Sequence, residues 1–385
     1  MKILLIGEYN ALHYTLKEAL SNLGHEVTVV GFGDGFKQRM VDINLKHRHT
    51  SGFSSFIRKV IFKLTNIDIT SIEMKNQFFK NKHIFEGNDV VQLINENSFG
   101  TIPKIEKKLL FHIFDNNKNV FLLSCGTDHV SVKYAMDGGF HYSILTPYLE
   151  KKGTRKTFLP VLKYLTEEYT ELSKFIYKNI KGVIASDLDY HIPLLNHEKY
   201  LGMVPNPINL KKFEYKEPNF DGKVVIFHGI NTDNYYKKGN DIFEEALKIV
   251  SEKYHEKIEI RTVRSVPYSE YITLFDDAHI LLDQVFAYDQ GFNALEAMAK
   301  GKVVFTGAEK EWLEYYNLKE DTIAINALPN AHKIAEKLEW LILNPKKIVE
   351  ISKNARKFVE DEHDYIASGK DYLEKWEKGI SIHFA

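Results

Sequence analysis

KILLIGEYNALHYTLKEALSNLGHEVTVV, residues 2–30, is the stretch whose reading decides the fold. Ile3 to Ile6 form a short, continuous apolar run, the pattern of a parallel strand buried on both faces. Gly7 ends it. Leu12, Leu16, Ala19, Leu20 and Leu23 then recur at helical spacing, and Gly24 stands where a glycine is expected just past a helix C-terminus. Val27 to Val30 supply the next strand. Strand, helix and strand in this order make a βαβ unit.

The pattern recurs along the chain. Asp89 to Ile94, Asn119 to Leu123 and Gly182 to Ala185 are further β-prone runs separated by helical stretches, which predicts a doubly wound parallel sheet. Val204-Pro205-Asn206-Pro207 stops both helix and sheet and marks a domain boundary. Beyond it a second series follows: Lys223 to His228, Ile258 to Val263, His279 to Asp283, Lys302 to Thr306 and Thr322 to Ile325. The last stretch, from about Ile348 to Lys378, is helical, with Phe358, Tyr365, Tyr372, Leu373 and Trp376 as apolar anchors. The expectation is two Rossmann-like α/β domains, 1–205 and 206–363, facing a cleft that suits a ligand, and a helical segment 364–385.

Composition narrows the function. The 385 residues carry 51 Lys+Arg against 52 Asp+Glu, a net charge of −1, which gives no global field for nucleic acid. The single cysteine, Cys125, excludes an internal disulfide framework and a Cys-based zinc site and fits a reducing compartment. The N-terminal apolar run stops at Gly7-Glu8, too soon for a signal peptide, and no run approaches the ~20 apolar residues of a membrane helix. These features predict a cytoplasmic protein, soluble or peripheral at the membrane, with no nucleic-acid partner.

Chemistry concentrates in the second half. At 283–304 a strand ends at Asp283, a loop holds Gly291, and a helix begins near Phe292, so the N–H groups around Phe292, Asn293 and Ala294 offer a seat for phosphate. Glu296, one turn on, is placed to bond a ribose hydroxyl pair, or merely to cap its own helix. Asn293-Ala294-Leu295-Glu296-Ala297-Met298-Ala299-Lys300-Gly301-Lys302-Val303-Val304 resembles the signature of GT-B fold glycosyltransferases of family 4, the group 1 class. In that family Glu296 would be the second glutamate of a Glu-x7-Glu motif, the ribose ligand. Tyr288 stands where the family has the first glutamate, which touches the donor sugar, and Asp289 is its neighbour.

Other segments match the same family. Tyr236-Lys237-Lys238-Gly239-Asn240-Asp241 is similar to the loop whose lysine clamps the donor diphosphate, a role the resemblance gives to Lys238 beside Gly239. Fixed cations there stabilise the charge that grows on a departing pyrophosphate. The family's upstream arginine has no matching position, and Arg264 reaches in from the end of the next strand. Val266 falls where backbone contacts the nucleotide base. Ser124-Cys125-Gly126-Thr127-Asp128 is similar to the family's His-Gly-Thr-Asp, with Cys125 in the place of the sugar-facing histidine. A thiol is the weaker hydrogen-bond partner. Gly7, Cys125 and Gly126 fall on the donor side, and Asn10 and Asp128 on the acceptor side.

The resemblance implies a GT-B architecture with the C-terminal helix crossing back to the first domain. It also implies a retaining transferase that moves a sugar from a nucleotide-diphosphate donor to a glycan or lipid-linked glycan in surface polysaccharide or glycan biosynthesis. Asp128, Lys238 and Glu296 would carry the reaction, with no metal and no further cofactor. A nucleotide-sugar epimerase of similar fold and a non-catalytic GT-B subunit are the alternatives. Gly31-Phe32-Gly33-Asp34-Gly35 follows the second strand and reads as a loop, and the chain lacks the full dinucleotide fingerprint. Asp187-Leu188-Asp189-Tyr190-His191 fits either a helix cap or a divalent-cation pair.

One further segment stands apart. Phe53, Phe56, Ile57, Val60, Ile61 and Leu64 recur at i, i+3, i+4, i+7, i+8 and i+11, with Arg58, Lys59 and Lys63 off the stripe. This predicts an amphipathic basic helix over 51–64, either packed on the sheet core or lying on the inner membrane surface. Lys151 to Leu159 is a second basic stretch that would add to a membrane-facing or anionic-acceptor surface.

Overall fold

The computed structural model describes residues 1–32, 41–48, 52–65 and 67–382, and in it two parallel sheets form the frame. The first holds β1 (Lys2–Ile6), β2 (Glu26–Gly31), β3 (Ile43–Asn44), β4 (Val90–Leu93), β5 (Val120–Ser124), β6 (Gly182–Ala185) and β7 (Tyr200–Met203), in the order β3-β2-β1-β4-β5-β6-β7. The second holds β8 (Val224–Ile230), β9 (Ile258–Arg264), β10 (Ile280–Leu282), β11 (Val303–Thr306) and β12 (Ile325–Asn326), in the order β12-β11-β10-β8-β9. Leu4 sits in register with both Thr28 and Val91, and Leu281 with both Phe227 and Val304. Helices cover both faces, which is why the central strands are buried and largely apolar, with Gln92 in β4 and His228 in β8 as buried polar residues.

The expected strands are present except that the last, expected at Thr322 to Ile325, is shifted and shortened to β12 at Ile325–Asn326. β3 and β7 are additions at the two edges of the first sheet. β7 alternates half-buried and buried residues, contains Gly202 at φ 117°, and faces a register shift between Val183 and Ile184. Edge position and a bulge explain why it lacks a clean apolar run.

The C-terminal helical stretch breaks at His363-Asp364 into Pro345–Glu362 and Tyr365–Ser381. Asp364 caps the second helix by accepting from the N–H groups of Ile366 and Ala367. At the break the Ile208 N–H donates to the His363 carbonyl, and the His363 ring bonds the Asn206 carbonyl at 2.9 Å. The two crossings between the domains therefore lie side by side. Helix Tyr365–Ser381 returns to the first domain, with Gly369 against Ala19 and Gly379 against Phe121. Its Trp376 indole donates to Gln92 at 3.0 Å, the Gln92 amide meets the His13 ring at 3.3 Å, and His13 Nδ1 donates to the Gly7 carbonyl at 2.7 Å. Burial keeps this ring neutral, its pKa pushed down to about 3.

Helix Gly52–Thr65 forms, but none of its described residues is buried, and Phe53 and Leu64 are 77% and 78% exposed. The core-packed alternative is thereby overturned. Ser51, at its head, and residues 33–35 of the glycine-rich loop lie outside the described residues. No helix among the described residues is long and apolar enough to cross a membrane.

Candidate active site between the domains

A cavity of about 270 Å³ opens in the cleft, lined by Gly126, Asp187 and Asp189 from the first domain and Asp289, Gln290 and Gly291 from the second. Beside it the second domain assembles a polar cluster. β10 delivers Asp283, buried, whose Oδ1 accepts from Lys238 Nζ at 3.0 Å and from Asn293 Nδ2 at 3.0 Å. The lysine expected at the diphosphate and the first turn of helix Phe292–Ala299 thus meet over one buried carboxylate. The Tyr271 hydroxyl donates to Asn293 Oδ1 at 3.0 Å and fixes the amide's orientation. Gly291 occupies the N-cap position of that helix, Phe292 and Ala294 are buried beneath it, and Glu296 is half-buried one turn on.

Gly239 lets the Lys238 loop approach. It stands at φ 71°, and a Cβ there would fall 2.6 Å from the Val285 Cβ, while the Val285 N–H donates to the Lys238 carbonyl at 3.0 Å. Arg264 is engaged elsewhere: its guanidinium pairs with Glu244 and lies 5.8 Å from the centre of the Tyr235 ring. Val266 is half-buried just beyond β9.

On the first domain Gly7 stands at φ 89°, where a Cβ would fall 2.1 Å from Ile94 Cγ2, so packing alone dictates a glycine. Asn10 is exposed in the loop after β1 at φ 53°. Cys125 is half-buried, and burial pushes its thiol pKa up, which keeps it neutral. Gly126, at φ 76°, borders the cavity. Asp128 is buried as the cap of helix His129–Met136, accepting from the Ser131 N–H at 2.8 Å and from the Ser124 hydroxyl.

Tyr288 turns away from the cavity. Its ring packs with Phe140 and Tyr142 at centroid distances of 4.9 and 5.6 Å, and its hydroxyl accepts the His141 N–H at 2.8 Å. Asp289, one residue on, is the side chain that faces the cavity, together with Asp187 and Asp189. Burial raises all three carboxyls, Asp189 to about 7 and Asp289 to about 6, and Asp187 well up with added repulsion from the other two. Asp189 accepts the Tyr288 N–H at 3.1 Å and Asp289 the Leu188 N–H at 3.1 Å, so each carboxylate bonds the opposite domain. Gln290 is buried with its Nε2 on the Gly307 carbonyl at 2.7 Å and its Oε1 without a hydrogen bond.

This trio was not assembled from sequence, because its members come from two domains about a hundred positions apart. The available signal was Asp-x-Asp at 187–189. Asp187 does occupy the N-cap position of helix Leu188–Leu194, yet its side chain makes no capping bond and instead accepts from Ser186. His191 is held by the Tyr200 hydroxyl at 2.6 Å. Among the described residues no His, Cys, Asp or Glu group is arranged to hold a metal ion. The basic stretch 151–159 meets the second domain: Lys152 pairs with Asp241 at 3.5 Å, and Gly153 abuts the Tyr236 ring.

Comparison with known proteins agrees with this architecture. Residues 237–374 match the family described as glycosyl transferase-like. A search of curated proteins finds no match. Among solved structures, sucrose-phosphate synthase from Thermosynechococcus elongatus is similar over 99% of this chain and 100% of its own, with a TM-score of 0.62 at 13% identity. Anabaena HepE, in complex with UDP and glucose, is similar over 98% of this chain and 100% of its own, with a TM-score of 0.58 at 13% identity. A glycosyltransferase from Rickettsia africae is similar over 98% of each chain, with a TM-score of 0.51 at 14% identity. These likenesses show the two-domain fold that the sequence led us to expect, and the glycosyl transferase-like match falls on its second domain and the helices after it.

Proposed function

We propose that the chain transfers a sugar from a nucleotide-diphosphate donor to a hydroxyl of a glycan or lipid-linked glycan, with retention of configuration and no bound metal. The observation that carries this reading is the meeting of Lys238 and Asn293 over Asp283 at the start of helix Phe292–Ala299. A fixed ammonium and helix N-terminal N–H groups at one point suit a diphosphate, and they act most strongly as the leaving group gains charge. Asp283 would hold the ammonium in place before the donor arrives. Glu296 would take the ribose and the backbone at Val266 the base.

The sugar would occupy the 270 Å³ cavity. Asp289 and Gln290 would accept from its hydroxyls, in place of the glutamate that Tyr288 replaces. No Lys, Arg or His is among the residues lining this cavity, which favours a neutral sugar over a uronate. HepE has been solved with UDP and with UDP-glucose, which makes the uridine series the first donor to test. The exposed apolar face of helix Gly52–Thr65, with Lys59 and Lys63 on the same helix, supports a position on the cytoplasmic membrane surface during glycan or polysaccharide synthesis.

The test is turnover of UDP-glucose, and of UDP-glucuronate as the charged control, with an acceptor extract. Release of UDP that requires the acceptor supports the transferase. A free altered sugar nucleotide without acceptor would instead indicate an epimerase, and donor binding without turnover a non-catalytic subunit.

A further inference from the structure

His228 lies in β8 between Leu282 of β10 and Thr262 of β9, and it is fully buried. It follows the apolar run Val224-Val225-Ile226-Phe227, and its ring meets Phe243 edge-on with 5.6 Å between centres. His228 Nε2 stands 2.9 Å from Asn240 Oδ1, and Asn240 Nδ2 donates to the Tyr235 carbonyl at 2.9 Å. A carbonyl only accepts, so the amide nitrogen faces Tyr235 and the amide oxygen faces the ring. The ring proton is therefore assigned to Nε2, and Nδ1 has no hydrogen bond among the described residues. Burial lowers the pKa of the ring and keeps it in this neutral form. A buried acceptor without a donor is costly, and an apolar side chain of similar size would fill the space without that cost.

The bond that the ring does make leads to the loop of Lys238. Residues 231–238 are exposed or half-buried, and the chain enters the core only at Gly239 and Asn240. Asn240 opens helix Asn240–Tyr254. The Tyr235 carbonyl accepts from its side chain and also from its backbone N–H, the latter at 3.1 Å. Within the same turn the Lys238 N–H donates to the Asn234 carbonyl at 2.9 Å and the Gly239 N–H to the Tyr236 carbonyl at 3.0 Å. The turn from Tyr235 to Gly239 is thus drawn shut over Asn240, and Asn240 is held from the core side by His228.

We propose that His228 is a positioning residue for the donor site: through Asn240 it sets the turn Tyr235–Gly239, and with it the ammonium of Lys238 that the donor reading assigns to the diphosphate. Fully buried, His228 touches no donor atom itself. Its bond to Asn240 is made before the donor arrives, so the cation stands ready as charge grows on the leaving group.

Three variants separate positioning from packing. His228→Met keeps the length of the side chain but has no donor. His228→Gln can restore an N–H to Asn240 Oδ1, and Asn240→Ala breaks the same link from the loop side. Calorimetry with UDP and with uridine reads the site, since only UDP carries the diphosphate. His228→Met and Asn240→Ala should each weaken UDP about tenfold or more and uridine less than about twofold, whereas His228→Gln should stay within about threefold of the native chain for both. In the ligand-free chain, hydrogen exchange at Lys238, Gly239 and Asn240 should quicken about tenfold or more in the first two variants and not in His228→Gln. Undiminished UDP affinity in His228→Met or in Asn240→Ala overturns the proposal. So does an equal loss of UDP and uridine, or a His228→Gln chain as weak as His228→Met. A native chain that holds UDP no tighter than uridine would instead strike the donor reading, and the exchange rates would then decide by themselves whether His228 sets the turn.

Discussion

The phenolic oxygen of Tyr288, in the second domain, accepts the backbone N–H of His141, in the first, at 2.8 Å. With Phe140 and Tyr142 around its ring, this side chain pins the domains together at the position where the resemblance led us to expect a sugar-facing glutamate. Tyr288→Phe keeps the packing and loses one hydrogen bond, a cost of about 1 kcal/mol. Tyr288→Glu puts a carboxylate into the same buried place, near Glu309, Glu311 and Asp189, and should cost about 3 kcal/mol or more without improving turnover. Thermal melts and donor turnover of the two variants check this order.

Lys238→Ala removes the cation from buried Asp283, which keeps Asn293 as a partner. The expected loss of stability is about 1–3 kcal/mol, with turnover at saturating donor reduced about a hundredfold. Lys238→Arg should recover stability before activity, since the guanidinium can pair with Asp283 but fills the loop differently. A Lys238→Ala enzyme with native turnover would remove this residue from the mechanism.

Much of this arrangement was legible in the sequence. The apolar runs at Ile3–Ile6 and Val303–Thr306 read as buried strands because buried parallel strands have no polar face to disguise them. Lys238-Gly239 and Gly291–Asn293 were legible as local motifs, since a loop glycine and a helix start are local events. The carboxyl trio of Asp187, Asp189 and Asp289 was not, because it exists only when the domains meet. The role of Tyr288 was hidden for the same reason: its partner His141 lies in the other domain. Periodicity found the helix at 52–65 but could not say which face was covered, and that face is open.

Buried carboxyls set the pH response. Burial raises Glu96 to about 8 and Glu106 and Asp189 to about 7, whereas unfolded they titrate near 4. The folded chain then holds protons that the unfolded chain lacks, so stability falls as pH rises through 7 and 8. His13, at about 3, and His363, at about 4, act oppositely, because the unfolded rings take protons near 6.5. Their contribution is lost only below that pH. The melting temperature should therefore rise from pH 8.5 to 6.5, at about 1.4 kcal/mol per pH unit for each net proton, and rise less steeply below, where the two histidines oppose the carboxyls. A melt insensitive to pH over that interval would contradict the buried-acid account.

Trp376→Phe should leave Gln92 Oε1 buried without its indole donor and break the chain that runs through His13 to Gly7. A loss of about 1–3 kcal/mol follows. UDP affinity should stay at the native value, because Trp376, Gln92 and His13 are buried against the first domain, whereas Lys238, Asp283 and Asn293 lie in the second. Denaturant unfolding read beside UDP titration separates the two effects.

The most direct test of the donor seat on helix Phe292–Ala299 is calorimetric titration of UDP into the native chain and into its Glu296→Ala variant. The account predicts saturable binding to the native chain and at least tenfold weaker binding to the folded variant. Absence of UDP binding at millimolar concentration, or equal affinity in the two proteins, would contradict it.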